Sequence, residues 1–411
     1  MNLQAEETIV IGAGLAGLSC AVRLHESGHR VTILEASDGV GGRVRTDQVG
    51  GYLLDRGFQV YLDAYSVAGE FLDLEELDLR PFEPGALVWK KGKLRPLYDV
   101  FRRPNEAVRS ALQPIGSMRD KLLVAGLRNR LNRKEEEAIW TTPETSTEEY
   151  LRKFGFSVAM VDDFFRGFYG GIFLENELQT SSRLFEFTFR LFSKGSATLP
   201  ARGMQAIPEQ LAKRLPKESI QLNTPVRSIS GTTVATDRRI LDPKRIILAV
   251  DGTTAADWIP EIDKPSWKST TCLYFGAGVA PIQRPLIALR GDREGLINSV
   301  CVPNEIQPSY APKGRSLVSV TLLGDHSSAS RLESRILAEL SEWFGPEVRT
   351  WEHLRTETIS RALPMKTSGH VLSLRQEGPI YFCGDHTSSA SIEGAILSGL
   401  NTADSIIRAD A

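Results

Sequence analysis

Residues Thr8 to Arg45 read TIVIGAGLAGLSCAVRLHESGHRVTILEASDGVGGRVR, and this stretch decides the fold. Thr8 to Ile11 form a β-branched apolar run of the kind that makes a buried strand. Gly12, Gly14 and Gly17 follow at GxGxxG spacing, and an apolar-periodic helix starts at once. Gly12 permits the turn, Gly14 removes the side chain that would block a pyrophosphate, and Gly17 lets the helix lie close to the strand. Leu15 and Ala16 sit at the helix start, where backbone N–H groups meet an anion. A second strand, Val31 to Leu34, delivers Glu35 with Ala36 beside it. Glu35 lies 18 residues after Gly17, where such a fold presents an acid to a ribose hydroxyl.

The three glycines alone are a weak signal, since glycine-rich turns also end ordinary helices; the strand context and Glu35 make it specific. They leave NAD and FAD both open. Gly41, Gly42 and Arg43 favour FAD, because two small residues let the backbone approach a second part of a long cofactor and Arg43 supplies a fixed charge for pyrophosphate.

A chain of 411 residues buries a large core and implies two domains, or one with a big insertion. Its net charge of −2, with no interleaving of aromatic and basic residues, argues against a nucleic-acid partner. The four cysteines lack CxxC spacing, so neither a metal site nor a disulfide framework is expected, and a reducing compartment is the simpler reading. The first strand begins too close to Met1 to leave room for a signal peptide, and no window approaches 18 uncharged apolar residues. The expectation is a cytoplasmic protein or one lying on a membrane surface.

Beyond Arg43 the segment Val44 to Tyr61 reads as paired strands that bring Gly57, Phe58 and Gln59 near the cofactor. Ala86 to Pro96 reads as a hairpin. From Lys90 to Lys134 there are 13 Lys and Arg against three acids, with Ile115, Met118, Leu122, Ala125, Leu127 and Leu131 at roughly helical spacing. This predicts a basic amphipathic helix, either packed on a core with a solvated face or resting on an anionic membrane. Helices over 148–153, 158–169 and 182–192 carry Phe164, Phe165, Phe168, Tyr169, Phe185, Phe187, Phe189 and Phe192, a stripe read first as core and second as a pocket wall. Apolar runs between 270 and 323 predict an antiparallel sheet, followed by a helix over 330–344. Phe275-Gly276-Ala277-Gly278 lacks a third glycine and a helix start, so it is read as a strand end and not as a second nucleotide turn.

Near the C-terminus a short strand, 380–383, leads to Gly384 and Asp385 and then to a helix opening at Ser391, Ile392 and Glu393. Gly384 admits a ligand to the backbone, Asp385 can accept from a ribityl hydroxyl, and the helix N-terminus can stabilise the negative charge of a reduced flavin.

Together GAGLAGL, Glu35, Gly41 to Arg43, RGMQAIPEQLAKRL from Arg202, PVRSI from Pro225, and CGD with SIEGAILSG between Cys383 and Gly399 resemble the flavin-containing amine oxidase superfamily. The SIEGAILSG ending and the segment from Gly57 to Tyr65 are most similar to plant-type carotenoid desaturases and protoporphyrinogen oxidases. The resemblance implies that Val226 binds adenine through its backbone, Glu35 ribose, Arg43 pyrophosphate and Asp385 the ribityl chain. It also implies an α/β architecture: a Rossmann-like FAD-binding domain (1–80, 200–268 and 350–411) interleaved with an α+β substrate domain (81–199 and 269–349). True amine oxidases place an aromatic residue where this chain has Ser391, and the cysteine segment that anchors flavin covalently in some relatives is absent, so non-covalent FAD is expected.

The function implied is an FAD-dependent dehydrogenase or desaturase that takes hydride from a C–H bond of a largely apolar substrate, such as an isoprenoid or tetrapyrrole, with O2 or a quinone as electron acceptor. An amine or amino-acid oxidase, or a flavin-binding protein without turnover, are the alternatives. Lys366 and His386 are the candidate catalytic helpers, each weighed against a structural role.

Overall fold

The computed structural model describes residues 8–259, 262–365 and 376–411. Strand β1 (Thr8–Ile11) is wholly buried, helix α1 (Leu15–Glu26) follows it, and strand β2 (Val31–Leu34) returns parallel to β1 with Thr8 beside Val31. The two strands lie within a six-stranded sheet whose order is Ile220–Gln221, β2, β1, Arg245–Leu248, Ile380–Phe382 and Gln376–Glu377. All its pairings are parallel except the last. Chain from both ends and from the middle thus builds one layer. The C-terminal helix Ile392–Asp410 lies against α1, and only a glycine permits the approach: a Cβ on Gly399 would stand 2.2 Å from the Ala16 carbonyl oxygen.

A second, seven-stranded sheet has Trp267–Ala277 paired antiparallel with Ser316–Leu323 on one side and Glu352–Pro364 on the other. It continues through Ile297–Cys301 and Ile287–Arg290 to the hairpin Gly85–Lys90 and Lys93–Tyr98. One face is covered by helix Leu332–Phe344, which buries Leu332, Ile336, Leu340 and Trp343 at helical spacing and stacks Trp343 on Trp89 at 5.3 Å. Two expectations need correction. Residues 352–364, placed with the cofactor domain, are the edge of this sheet, and the sheet starts at Trp267 instead of 269. The edge strand escapes notice in the sequence because its exposed positions carry charges such as Glu352 and Arg361, so no apolar run marks it.

Helix Arg166–Phe173 packs against strands Ile287–Arg290 and Ile297–Cys301 of this sheet, and helices Thr147–Phe154 and Ser182–Lys194 share a buried cluster with it. Between Val158 and Phe173 the chain passes through one π-helical turn, Val161–Phe165. The aromatic stripe divides: Phe165 and Phe185 are buried in a core, Tyr169 and Phe173 are buried there and also touch a cavity, and Phe164, Phe168, Phe189 and Phe192 are half-buried and face that cavity.

The basic segment also differs from a simple amphipathic helix. Helix Met118–Asn132 is capped by a Ser117–Asp120 box and buries Leu127 and Leu131, but Met118 and Leu122 point outward, giving it two apolar faces. Much of its charge is used internally. Lys90 pairs with Asp163, Arg103 with Glu83, Arg128 with Asp99 at 2.5 Å, and both Arg130 and Lys134 with the buried Glu186. No helix among the described residues is long and apolar enough to cross a membrane.

One buried acid joins the two layers. Asp55 ends the hairpin Thr46–Val49 and Tyr52–Asp55, and its carboxylate accepts from the Thr46 hydroxyl, the Met204 amide (3.0 Å) and the Tyr310 hydroxyl (2.8 Å). Burial pushes its pKa up to about 6, against the pull of these three donors. The folded protein therefore holds this proton more tightly than the unfolded chain, whose Asp titrates near ~4. Stability from this group is full below ~4 and declines as pH rises through about 6, by about 3 kcal/mol. Wild-type melting midpoints should fall relative to those of Asp55→Asn between pH 4 and 7. Parallel pH profiles for the two proteins would contradict this assignment.

Candidate functional site

The carboxyl ends of β1 and β2 open into a cavity of about 1370 Å³ that runs from the glycine turn to the aromatic helices. Gly12 turns the chain at φ +105°, and a Cβ there would meet the Ala249 carbonyl oxygen at 2.6 Å. A Cβ on Gly17 would stand 2.1 Å from the Gly12 oxygen, which is why helix and strand can touch. Gly14 differs from both, since a Cβ on it meets nothing within 4 Å and projects towards open cavity. That is the shape of a cradle for a ligand. The Gly41 amide donates to the Ala13 carbonyl at 2.8 Å, which fastens the second glycine loop to the first.

Glu35 closes the cradle. One carboxylate oxygen accepts from the buried Ala13 amide at 2.7 Å, and the other accepts from the Ser37 amide (2.8 Å) and hydroxyl (2.7 Å). The acid is thus fixed before any ligand arrives, with lone pairs left to accept from hydroxyls. Across the cavity the Arg43 guanidinium donates to Asp385 at 2.7 Å and to the Ala362 carbonyl at 2.9 Å, and lies over the Trp267 ring. The Gln59 amide donates to the Arg43 and Arg56 carbonyls, both at 2.8 Å, fixing the loop that holds Gly57 and Phe58. At the C-terminal helix Ser391 is the N-cap, accepting from the Gly394 amide at 2.9 Å. The amides of Ile392 and Glu393 head the same helix end.

Of the residues expected to hold a cofactor, Gly12, Gly14, Leu15, Ala16, Glu35, Ala36, Gly41, Gly42, Arg43, Gly57, Phe58, Gln59, Val226, Gly384, Asp385, Ser391 and Ile392 all line this one cavity. Gly17 lies behind it as a packing glycine. Glu393 is a correction. Its buried carboxylate accepts from the Val67 and Ala68 amides (2.9 and 2.8 Å) and the Ser66 hydroxyl, so it caps helix Val67–Phe71. His386 is not among the lining residues and packs over Gly384 and Gly252. Lys366 lies outside the described residues.

No motif marks Lys268, at the start of the long strand Trp267–Ala277. Its ammonium is in the cavity wall, donating to the Thr180 hydroxyl at 2.7 Å and lying 3.4 Å from Glu175. Burial pulls its pKa down while Glu175 opposes the shift. A lone lysine in an apolar strand carries no motif, although its one-sided charge in a buried run was a visible anomaly.

The glycine cradle, the pre-set acid and the Arg43–Asp385 pair fit a long dinucleotide-type cofactor, and comparison with known proteins names its class. A family model described as flavin-containing amine oxidoreductase matches residues 15–407. The chain belongs to that family. It has the α/β architecture anticipated for the superfamily, a nucleotide-type parallel sheet interleaved with a second, mostly antiparallel one.

Solved structures share the fold across nearly the whole chain. A putative protoporphyrinogen oxidase from Exiguobacterium sp. 255-15 superposes with a TM-score of 0.76 at 19% identity, covering 99% of this chain and 100% of that one. A putrescine oxidase variant gives 0.75 at 19% identity, with 98% and 99% covered. Among curated sequences, an L-amino-acid oxidase from Bungarus fasciatus is 28% identical over 258 residues, 56% of this chain and 49% of the relative. The chain spans about half the length of the curated relatives it matches.

Proposed function

We propose that this oxidoreductase binds FAD non-covalently at the glycine-lined end of the cavity and removes hydride from a C–H bond of a largely apolar substrate held at the aromatic end. The observation that carries this reading is the continuity of one cavity from Gly14 and Glu35 to Phe164, Phe168, Phe189 and Phe192. Glu35 would accept from ribose hydroxyls, the α1 N-terminus and Arg43 would face pyrophosphate, Asp385 would accept from the ribityl chain, and the Val226 backbone would meet adenine. When bound, the flavin would supply the hydride acceptor, with O2 or a quinone as the terminal electron acceptor.

The chain's own contribution is orientation and exclusion of water. Ile172, Leu184 and Leu289 complete an apolar wall with the four phenylalanines, so a flat or polyene-like hydrocarbon gains by burial what it loses in freedom. Lys268, tied to Thr180 and Glu175, holds a positive charge in that wall. An electron-rich group near it would be stabilised.

Amine or amino-acid oxidation is the second reading, favoured by the curated relatives named L-amino-acid oxidases. Ser391 speaks against it, because its hydroxyl caps a helix at the position where an amine-caging ring is expected. Anaerobic stopped-flow reduction separates the two. Micelle-dispersed polyenes or porphyrinogens should bleach the flavin band at least tenfold faster than primary amines or L-amino acids. Rapid bleaching by amines alone would overturn the proposal, and bleaching by none of these would leave a flavin-binding protein without turnover.

A further inference from the structure

The described residues expose ten large apolar side chains, and five of them fall within the 22 residues from Phe101 to Leu122. Val108 and Leu112, 72% and 78% exposed, lie one turn apart at helix Ala107–Ala111 and just beyond it. Met118 and Leu122 repeat the arrangement at the start of helix Met118–Asn132. Phe101, Met118 and Leu122 are at once exposed and part of the cavity lining, so this patch is the rim of the opening through which the aromatic chamber meets solvent.

Cations outnumber acids around the rim. The same 22 residues hold five cations and two acids. Of the acids, Asp120 is buried and turned inward onto Ser117 and Ser157, and Glu106 lies 3.6 Å from Arg109 with its carboxylate mostly covered. Arg109 and Arg119 are exposed, and the Lys121 ammonium rests on the Ala111 and Gln113 carbonyls at 2.7 and 3.0 Å and makes no ion pair among the described residues. Exposed apolar side chains interleaved with cations match a surface whose interior is hydrocarbon and whose face is negative.

We infer that this rim is a docking surface for an anionic lipid bilayer, with Val108, Leu112, Met118 and Leu122 entering the acyl boundary and Arg109 and Arg119 meeting lipid phosphates. The inference rests on the reading of the chamber as a site for an apolar substrate, which would then pass from bilayer to cavity without crossing water. It relocates the contact from the basic face of the 118–132 helix, where Arg128 and Arg130 pair with Asp99 and Glu186, to the segment that begins before it, where Arg119 makes no ion pair among the described residues and Arg109 pairs at 3.6 Å with Glu106.

The test is flotation of the flavin-loaded protein with vesicles of phosphatidylglycerol and phosphatidylcholine, against vesicles of phosphatidylcholine alone. Wild type should float with the anionic vesicles, and Val108→Gln/Leu112→Gln should reduce its partition coefficient at least tenfold. Neither residue lines the cavity, so flavin content and melting midpoint should stay unchanged. Arg109→Gln/Arg119→Gln should bind several-fold more weakly and lose most of its salt dependence. Equal flotation of Val108→Gln/Leu112→Gln and wild type overturns the inference, as does no flotation of wild type. A wild-type dimer by light scattering that this double variant dissociates would also overturn it, by assigning the rim to a second copy of the chain. Flotation without flavin reduction by any apolar substrate would sink the substrate reading and leave the surface standing.

Discussion

Gly14→Val should yield a folded protein that purifies without flavin. A side chain at this position enters open cavity, and the backbone there is extended, with φ −71° and ψ 174°, which a β-branched residue adopts readily. The helix loses nothing, whereas a ligand lying against the turn meets two methyl groups. Affinity should fall by more than three decades, or more than about 4 kcal/mol. Gly12→Val and Gly17→Val are the contrast, because their side chains would strike the Ala249 and Gly12 carbonyls, so both should fail to fold. The check is circular dichroism together with visible absorbance after reconstitution. A yellow Gly14→Val protein with tight FAD would move the cofactor away from this turn.

Glu35→Ala should cost two to three decades in FAD affinity. The charge-assisted bond to a ribose hydroxyl accounts for about 1.5–3 kcal/mol. The remainder comes from the turn itself, since removal of the carboxylate orphans the buried Ala13 amide and releases Ser37 from its two bonds. Each orphaned buried donor costs about 1–3 kcal/mol, so the cradle loosens before the cofactor arrives. Glu35→Gln keeps one acceptor oxygen and sets an NH2 group against a donor, so it should fall between wild type and alanine. Titration of apoprotein with FAD by flavin fluorescence measures all three. Equal dissociation constants for wild type and Glu35→Ala would remove Glu35 from the cofactor site.

Legibility in the sequence followed the range of the forces involved. GAGLAGL and Glu35 could be read because a turn, a helix start and a strand end lie within a few tens of residues and each needs a particular residue type. The second glycine loop and the CGD segment were legible for the same reason. Glu393 was not: it stands at a helix N-terminus, where a cofactor role is reasonable, yet its partners Val67 and Ala68 are more than 300 residues away and leave no local trace. Strand Glu352–Pro364 was missed because one of its faces is solvated and charged. Met118 and Leu122 matched a helical period that Leu127 and Leu131 also matched, and periodicity does not say which of two apolar faces the core will take. Lys268 acquires its setting from Glu175 and Thr180 on another segment, and a single charge in a strand has no pattern to announce it.

The order of the six-stranded sheet also sets a timetable for biosynthesis. β1 pairs with Arg245–Leu248, which in turn pairs with Ile380–Phe382, and Asp385 and Ser391 follow that last strand. At about 5–20 residues per second, β1 leaves the ribosome roughly 20–75 s before the strand that completes the parallel layer. Throughout that interval α1 lacks the helix that covers it and the glycine turn lacks its opposite wall. On the proposed reading, flavin capture is consequently a late event in translation, coupled to the arrival of the final helix, and a nascent chain halted earlier presents apolar sheet surface.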